Sequence, residues 1–310
     1  MPRSPVSNHV SSHVSSHVTG IFLALAAALC YGWVPNFARL AFLNGVPALE
    51  TVTCRTLVVA VVLGVIGLAR GDSFAVPPAA RKGLVLQMIA TFLVSSCYLA
   101  SVQYLPVTLS VIIFYTFPLM VLVASPLVER HMPRLPQVLI ALVGFAGLFI
   151  AVGPVFSGAN ALGLSLAFLG ALGCALQFFT GRMVARHMAP TAFGSLVHLA
   201  IFPLILGLAW HFGGVLALMA PAGLGPWAIF SVLLVCITYL GGYFLHMSSV
   251  QQAPSSVVAP YFNAEPVVST TLAFVVLGET MTRNQLLGGG LVLAALLAGS
   301  MLQRRQVAHG

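Results

Sequence analysis

The sequence is poor in charge. Only 6% of its 310 residues are charged, and five of them are acidic, whereas soluble domains carry about 25% charged residues. So few charges cannot cover a water-exposed surface of this size. The mean hydropathy of +1.04 indicates instead that most of the apolar surface faces lipid. This scarcity of charge excludes an ordinary soluble protein.

Signatures of soluble enzymes are also missing. The sequence has no GxxxxGK[ST] loop, no HExxH helix and no GxSxG nucleophile elbow. We therefore expect neither ATP hydrolysis by this chain nor a bound cofactor. The five cysteines fall inside apolar runs, without the spacing of a disulfide or a zinc site, so we interpret them as packing residues and expect no metal site.

Ten apolar runs cover most of the chain. A transmembrane helix needs about 20 apolar residues to cross a hydrocarbon core of about 30 Å. The runs lie at 21–42, 49–69, 84–104, 107–127, 136–153, 160–181, 190–212, 226–247, 254–277 and 285–302. They predict an all-α membrane protein of about ten transmembrane helices.

The net charge of +8 follows the distribution expected of membrane topology. Lysine and arginine collect in cytoplasmic loops. With the amino terminus inside, only Arg39, Arg55 and Arg283 lie on or near the outer side. An even number of spans then places both termini in the cytoplasm. We predict a multi-pass protein of the cytoplasmic (inner) membrane, and no nucleic-acid partner.

Two terminal segments lie outside the predicted spans. Residues 1–20 contain SNHVSSHVSSHV, with His9, His13 and His17 four residues apart. A short His-rich tract can bind metal; the interpretation that we favour is a disordered amino-terminal tail. Residues 303–310 are predicted to form a cytoplasmic carboxy-terminal tail.

The chain contains an internal repeat. SVQYLPVT at 101–108 matches SVQQAPSS at 249–256, and the same offset of 148 pairs Pro118 with Pro266. In the first span of each half, a slightly shorter offset pairs two arginines at 39 and 182.

The repeat divides the chain into 21–153 and 154–302, with five spans in each. An odd number of spans turns the second half over in the membrane, so we predict two inverted five-helix repeats. Inverted repeats are common in secondary transporters, which place the solute site at the repeat interface near the membrane midplane.

One acidic residue lies near the middle of a predicted span. Glu265 is flanked by Tyr261 and Ser269, four residues away on the same helical face. Charged groups inside a membrane usually face the bundle interior or a water-filled cavity. We predict that this face lines the solute path, with Glu265 contacting substrate or a proton. The alternative is that Glu265 holds helices together.

Other polar and aromatic residues in the spans are further candidates. Arg55 either reaches back to the membrane interface or faces inward, where it would bind an anionic group or balance Glu265. Tyr115 is equivalent to Asn263 in the repeat, with simple packing as the alternative role. The remaining path candidates are Asn263, Trp33, Asn36, Arg39 and Gln177.

Prolines inside spans are candidate helix kinks. A proline leaves a backbone carbonyl without its usual helical donor, and neighbouring groups must satisfy it. The candidates are Pro35, Pro118, Pro260 and Pro266.

Three segments resemble the drug/metabolite transporter superfamily in its EamA branch. They are LCYGWVPNFARLAF at 29–42 with TCRTLVVAVVL at 53–63, YLPVTLSVIIFYTFPLMVLVASPLVER at 104–130, and APSSVVAPYFNAEPVVSTTLAFVVLGET at 253–280. The last includes the EPV and LGE elements of the family, at Glu265 and Glu279. The resemblance implies ten spans, two inverted repeats and export or exchange of metabolites, amino acids or drugs.

Together these features predict a secondary transporter that works by alternating access, as an exporter or exchanger of a small-molecule solute across the lipid bilayer. Proton coupling and oligomerisation are left open. An intramembrane enzyme acting on a lipid or small molecule is the alternative, and a scaffold or receptor is a third class. The repeats differ at midplane, where Phe117-Pro118 faces Glu265-Pro266, and we expect function to depend on that difference.

Overall fold

The computed structural model describes residues 5–101, 104–105, 107–153, 160–213, 224–277 and 280–308. Within these ranges the chain is helical. Its helices are α1 Pro5–Leu43, α2 Ala48–Arg70, α3 Pro78–Ser101, α4 Val107–Phe114, α5 Phe117–Val128, α6 Leu135–Val152, α7 Ala161–Ala185, α8 Pro190–Gly213, α9 Pro226–Gln252, α10 Ser255–Val258, α11 Ala264–Leu277 and α12 Arg283–Ala308. A 3-10 segment, Ala259–Asn263, joins α10 to α11.

Ten helical spans result, as the sequence predicts. Seven described stretches are long and apolar enough to cross a membrane, and Arg283–Ala298 is a shorter apolar helix. The fourth span is α4 with α5, and the ninth is α10 with α11. Helices α1 and α12 also continue into the segments predicted as terminal tails. The proposed domain boundaries stay a prediction.

Local signals set several helix ends. The side chain of Asn160 accepts a hydrogen bond from the backbone N–H of Gly163, at 2.8 Å, and so caps the start of α7. Helix α2 ends at Gly71, whose φ of 73° places it in the left-handed region that glycine adopts without strain.

The fourth and ninth spans are interrupted at equivalent places. Helix α4 stops before Tyr115, and α5 resumes at Phe117, one residue before Pro118. Helix α11 resumes at Ala264, two residues before Pro266, after the 3-10 segment. Proline is accepted in the first turn of a helix because its missing N–H would have no partner there. The predicted kinks at Pro118 and Pro266 therefore coincide with helix starts.

The two other candidate prolines behave differently. Pro260 lies inside the 3-10 segment. Pro35 lies within α1, which continues as a helix on both sides of it.

The helices pack with an internal two-fold pattern. Helix α1 packs along α9, and α3 packs along α7 in the equivalent way. Gly20 of α1 meets Ala253, while its counterpart Gly163 of α7 meets Leu105, the counterpart of Ala253. Helices α2 and α8 pair with each other, as do α6 and α12. Equivalent contacts thus recur in both halves.

The second half is inverted relative to the first. The apolar stretch of α1, Ser16–Leu43, begins near Gly20, which contacts Ala253 at the end of α9. Helix α7 ends at this same side, because the Arg182 side chain donates to the backbone carbonyl of Val250 at 2.7 Å. We call this side the amino-terminal face. Arg39 lies near the end of α1, at the opposite face, so the two equivalent arginines are on opposite sides of the bundle.

Candidate functional site

A cavity of about 160 Å³ lies between the two halves. Most of its lining consists of residues that are equivalent in the repeat, with numbers that differ by 143 in the first spans and by 148 in the later ones. The equivalent pairs are Tyr31 and Cys174, Val34 and Gln177, Pro35 and Phe178, Tyr98 and His246, Phe114 and Phe262, and Phe117 and Glu265. The cavity therefore lies on the pseudo-two-fold axis.

Three further residues complete the lining, namely Arg55, Val94 and Tyr239. Arg55 is the one arginine or lysine in this lining, and Glu265 is the one acid. They reach the cavity from different helices, α2 and α11. One cavity therefore carries a positive group on one wall and an acidic group on another.

Glu265 lies in the first turn of α11, immediately after the 3-10 segment, and is only partly buried. The first turn of a helix favours a negative side chain because the helix dipole is positive there. The hydroxyl of Tyr115 interacts with the Glu265 carboxyl group. Tyr115, which lies in the break of the fourth span, is therefore next to Glu265.

Asn263, the equivalent of Tyr115, has a different environment. It is fully buried and packs against Gly144 of α6. Neither polar atom of its amide has a hydrogen-bond partner among the described residues. It does not line the central cavity.

Arg55 lines the central cavity, so its side chain points into the bundle. Its guanidinium carbon lies 4.1 Å from the centre of the Tyr239 ring, in a cation–π arrangement. The Tyr239 hydroxyl lies 3.5 Å from Nε2 of His198, and Nδ1 of His198 is 2.9 Å from the carbonyl of Gly194. Tyr239 therefore holds Arg55, and is itself positioned by a buried histidine.

Gln177 lines the cavity but its amide is engaged. The amide nitrogen donates to the Thr91 hydroxyl at 2.8 Å, and Thr91 donates to the carbonyl of Gln87 at 2.8 Å. Thr180, one turn along α7, donates to the Gln87 side chain. This buried network joins α3 to α7 beside the cavity.

Three predicted path residues form a second pocket, at the opposite face. Asn36, Arg39 and Ser269 line a space of about 230 Å³. The Asn36 amide donates to the Ser269 carbonyl at 3.1 Å and to its hydroxyl at 3.3 Å, which ties α1 to α11. Pro35 lines both this pocket and the central cavity. The two spaces therefore adjoin.

The remaining candidates line neither space. Trp33 stacks on Phe37, with ring centres 5.1 Å apart. Tyr261 is fully buried in the 3-10 segment. Pro266 lines a third pocket, of about 480 Å³ between α6, α11 and α12.

An ionic network of Glu129, Arg182 and Ser255, which we call the latch, lies at the amino-terminal face. Glu129, at the end of α5, accepts hydrogen bonds from the Ser255 hydroxyl at 2.7 Å and from its backbone N–H at 3.0 Å. Nε of Arg182 lies 3.4 Å from the same carboxylate. The Ser255 hydroxyl oxygen also lies 3.1 Å from the backbone carbonyl oxygen of Phe178, a cavity residue. The latch thus joins both halves directly beside the cavity.

The sequence reasoning missed most of the aromatic lining. Tyr31, Tyr98, Tyr239 and His246 were not among the candidates. Tyr31 is the repeat partner of Cys174, and Tyr98 is the repeat partner of His246. None of these partners was a candidate, so the repeat offset alone did not identify them. Glu279, which belongs to a family element, lies outside the described residues.

Comparison with known proteins agrees with this architecture. The EamA-like transporter family matches residues 18–153 and 161–300, one match for each repeat. The threonine/homoserine exporter RhtA of Escherichia coli strain K12 is 28% identical over 214 residues. RhtA of Salmonella typhimurium strain LT2 shows the same identity over the same length. Each match covers 66% of this chain and 66% of the relative, just under two thirds of its length.

A solved crystal structure has the same fold. It superposes with a TM-score of 0.79 over 92% of this chain and 98% of the other, at 17% sequence identity. Such low identity establishes the fold alone. The two family matches, however, cover nearly the whole chain, and they coincide with the halves that surround the cavity. The chain therefore belongs to the EamA-like transporter family and is a multi-pass membrane protein.

Proposed function

We propose that the chain is a secondary transporter that exports or exchanges a small zwitterionic metabolite of the amino-acid type. The observation that carries this proposal is the pairing of Arg55 and Glu265 across one cavity. An α-amino acid has one carboxylate and one ammonium group. Arg55 binds the carboxylate, since its planar guanidinium matches carboxylate geometry, and Glu265 binds the ammonium group.

The size of the cavity supports a small solute. Pockets for drug-sized ligands occupy about 300–1,000 Å³, whereas this cavity measures about 160 Å³. The threonine/homoserine export named for the RhtA relatives supports the same class of solute. The small cavity argues against bulky drugs.

Alternating access fits the two unlike ends of the cavity. On the amino-terminal face, the latch residues Glu129, Arg182 and Ser255 join the halves by a charged network. On the opposite face, Asn36 and Ser269 join α1 to α11 by neutral hydrogen bonds, next to an adjoining pocket. Opening one set of contacts while the other is closed would expose the cavity to one side at a time. We place the amino-terminal face in the cytoplasm, because it carries most of the arginines.

Glu265 is also the candidate for proton coupling. Its carboxyl group is the acid of the cavity lining, and binding of the ammonium group and of a proton would compete there. Such competition links export of the solute to proton entry without a second acid.

The test is Glu265→Gln, which keeps the shape of the side chain and removes its charge. In proteoliposomes, counterflow of labelled threonine should fall about 10- to 100-fold, since hydrogen bonds to charged groups contribute about 1.5–3 kcal/mol. Phe117→Leu, at the equivalent position, is the matched control and should retain most counterflow. Threonine counterflow at the wild-type rate in Glu265→Gln, at equal protein density, would contradict this role.

A further inference from the structure

His246 is a second polar contact point in the central cavity. It extends from α9 and is 2% exposed, with its ring centre 4.2 Å from that of Phe178 and 4.8 Å from that of Phe262. Its Nε2 has no hydrogen-bond partner among the residues that the structure describes. A buried polar atom without a partner is destabilising, so a group that enters the cavity is expected to satisfy it.

The other buried histidine, His198, has hydrogen-bond partners for its ring nitrogens. His198 is fully buried, yet its two ring nitrogens face the Gly194 carbonyl and the Tyr239 hydroxyl. It does not line the cavity. His198 is thus satisfied within the fold, whereas His246 belongs to the cavity lining and has one buried nitrogen without a partner among the described residues.

Three polar groups then converge on one small space from three helices. Arg55 comes from α2, His246 from α9 and Glu265 from α11. A simple zwitterion uses only the arginine and the acid. The third contact remains for the side chain of the solute, in a part of the cavity walled by the rings of Phe178 and Phe262.

We propose that His246 determines specificity by hydrogen bonding to a hydroxyl group on the side chain of the transported amino acid. This rests on the proposed function above. An imidazole nitrogen can donate or accept, and a hydroxyl group can do the same, so the two are complementary in either tautomer. A site built to bind a hydroxyl group disfavours the analogue without it, because its own polar group is then left unpaired. The site therefore prefers small hydroxyl amino acids to apolar ones of equal size.

Threonine and valine are the probes, because they have the same shape and differ by a hydroxyl in place of a methyl group. In counterflow with purified protein in liposomes, the wild type should prefer threonine by about 10-fold, as expected for one buried hydrogen bond. His246→Phe should transport both amino acids at similar efficiency. His246→Gln, whose amide can still hydrogen bond, should keep most of the preference.

His198→Gln is the matched control and should alter transport of both amino acids alike. A preference for threonine that persists in His246→Phe would overturn the role of His246 and leave the proposed function intact. Failure of the wild type to exchange either amino acid would overturn both. If His246→Phe does not fold, unlabelled threonine and valine are compared as competitors of labelled threonine transport by the wild type. Equal competition by the two amino acids overturns the proposal. Stronger competition by threonine, retained in His246→Gln, supports it.

Discussion

Phe117 in the first half and Glu265 in the second occupy equivalent positions, each in the first turn of the helix that resumes after an interruption. Both line the central cavity. Phe117 is 1% exposed and stacks on Phe178, with ring centres 5.5 Å apart, whereas Glu265 is only partly buried. The same backbone therefore presents an apolar wall in one half and an acid in the other.

This contrast recurs around the cavity. Val34 is equivalent to Gln177, and Tyr98 is equivalent to His246; all four line the cavity. In these two pairs the second half supplies the more polar member, while Arg55 comes from the first half. A symmetric fold thus produces a cavity with chemically different walls, which a zwitterion can occupy in one orientation.

Placing an acid at position 117 of the first half, as in the second half, should have the largest effect on stability. Phe117→Glu would place a carboxylate against Phe178 in the buried wall of the first half. Translocon scales set the cost of a charge at the helix centre at about 2.5–3.5 kcal/mol, so we expect a clear fall in melting temperature in detergent. Phe117→Leu is the control and should melt much closer to the wild type. Unchanged melting of Phe117→Glu would show that the two positions are interchangeable.

Removing the positive wall should have the next largest effect. Arg55→Gln would lose the carboxylate partner of the solute, so the apparent affinity for threonine should fall about 10- to 100-fold in counterflow. Arg39→Gln, in the pocket at the opposite face, is the matched control and should reduce affinity less. Equal losses in the two variants would contradict a role specific to the central cavity.

Weakening the latch should raise exposure of the cavity to the amino-terminal face. Glu129→Gln keeps an acceptor for Ser255 but removes the charge that faces Arg182. Cys174 lines the cavity and can report this if the other four cysteines are replaced by alanine. Its labelling by an impermeant thiol reagent from that face should speed up several-fold.

Arg186→Gln, at an exposed position near the latch, is the control for this experiment and should label at the parent rate. Labelling of Glu129→Gln at the parent rate would show that the latch does not limit access.

The smallest expected effect is a difference in unfolding free energy between alanine substitutions at two equivalent glycines, Gly20 and Gly163. A Cβ at Gly20 would lie 2.7 Å from Cβ of Ala253 and close to backbone atoms, which cannot move away easily. A Cβ at Gly163 would lie 2.6 Å from Cγ of Leu105, whose side chain can rotate, and 2.9 Å from Cβ of Tyr104, with no backbone atom among its three nearest neighbours. We expect Gly20→Ala to cost about 1 kcal/mol in unfolding free energy and Gly163→Ala less. The reverse order would contradict this view of the packing.

Much of the architecture follows from local features of the sequence. The ten apolar runs correspond to the ten helical spans, and the offset of 148 correctly aligns the interrupted fourth and ninth spans. Glu265 was recognisable as a cavity residue because a lone acid in a span must avoid lipid. The orientation of Arg55 was not recognisable, since it depends on Tyr239 of α9, which is remote in sequence.

In the candidate site, too, the sequence did not show which residues share one space. Ser269 was linked to Glu265 by helical spacing, and Asn36 and Arg39 were separate path candidates. All three line a second pocket beside the cavity, where the Asn36 amide joins α1 to α11. His246 was missed because a histidine in a span gives no sign of whether its nitrogens are satisfied. One of its nitrogens has no hydrogen-bond partner because the rings of Phe178 and Phe262, which are remote in sequence, pack against the imidazole.

Hydrophobic length, internal similarity and the cost of a charge in lipid are properties of short segments. The number of spans, their duplication and the lone midspan acid can therefore be read from the amino-acid sequence. The tertiary structure alone decided which side chains share a cavity. That outcome depends on how α2, α7, α9 and α11 pack against one another, and it placed Arg55, His246 and Glu265 around one space.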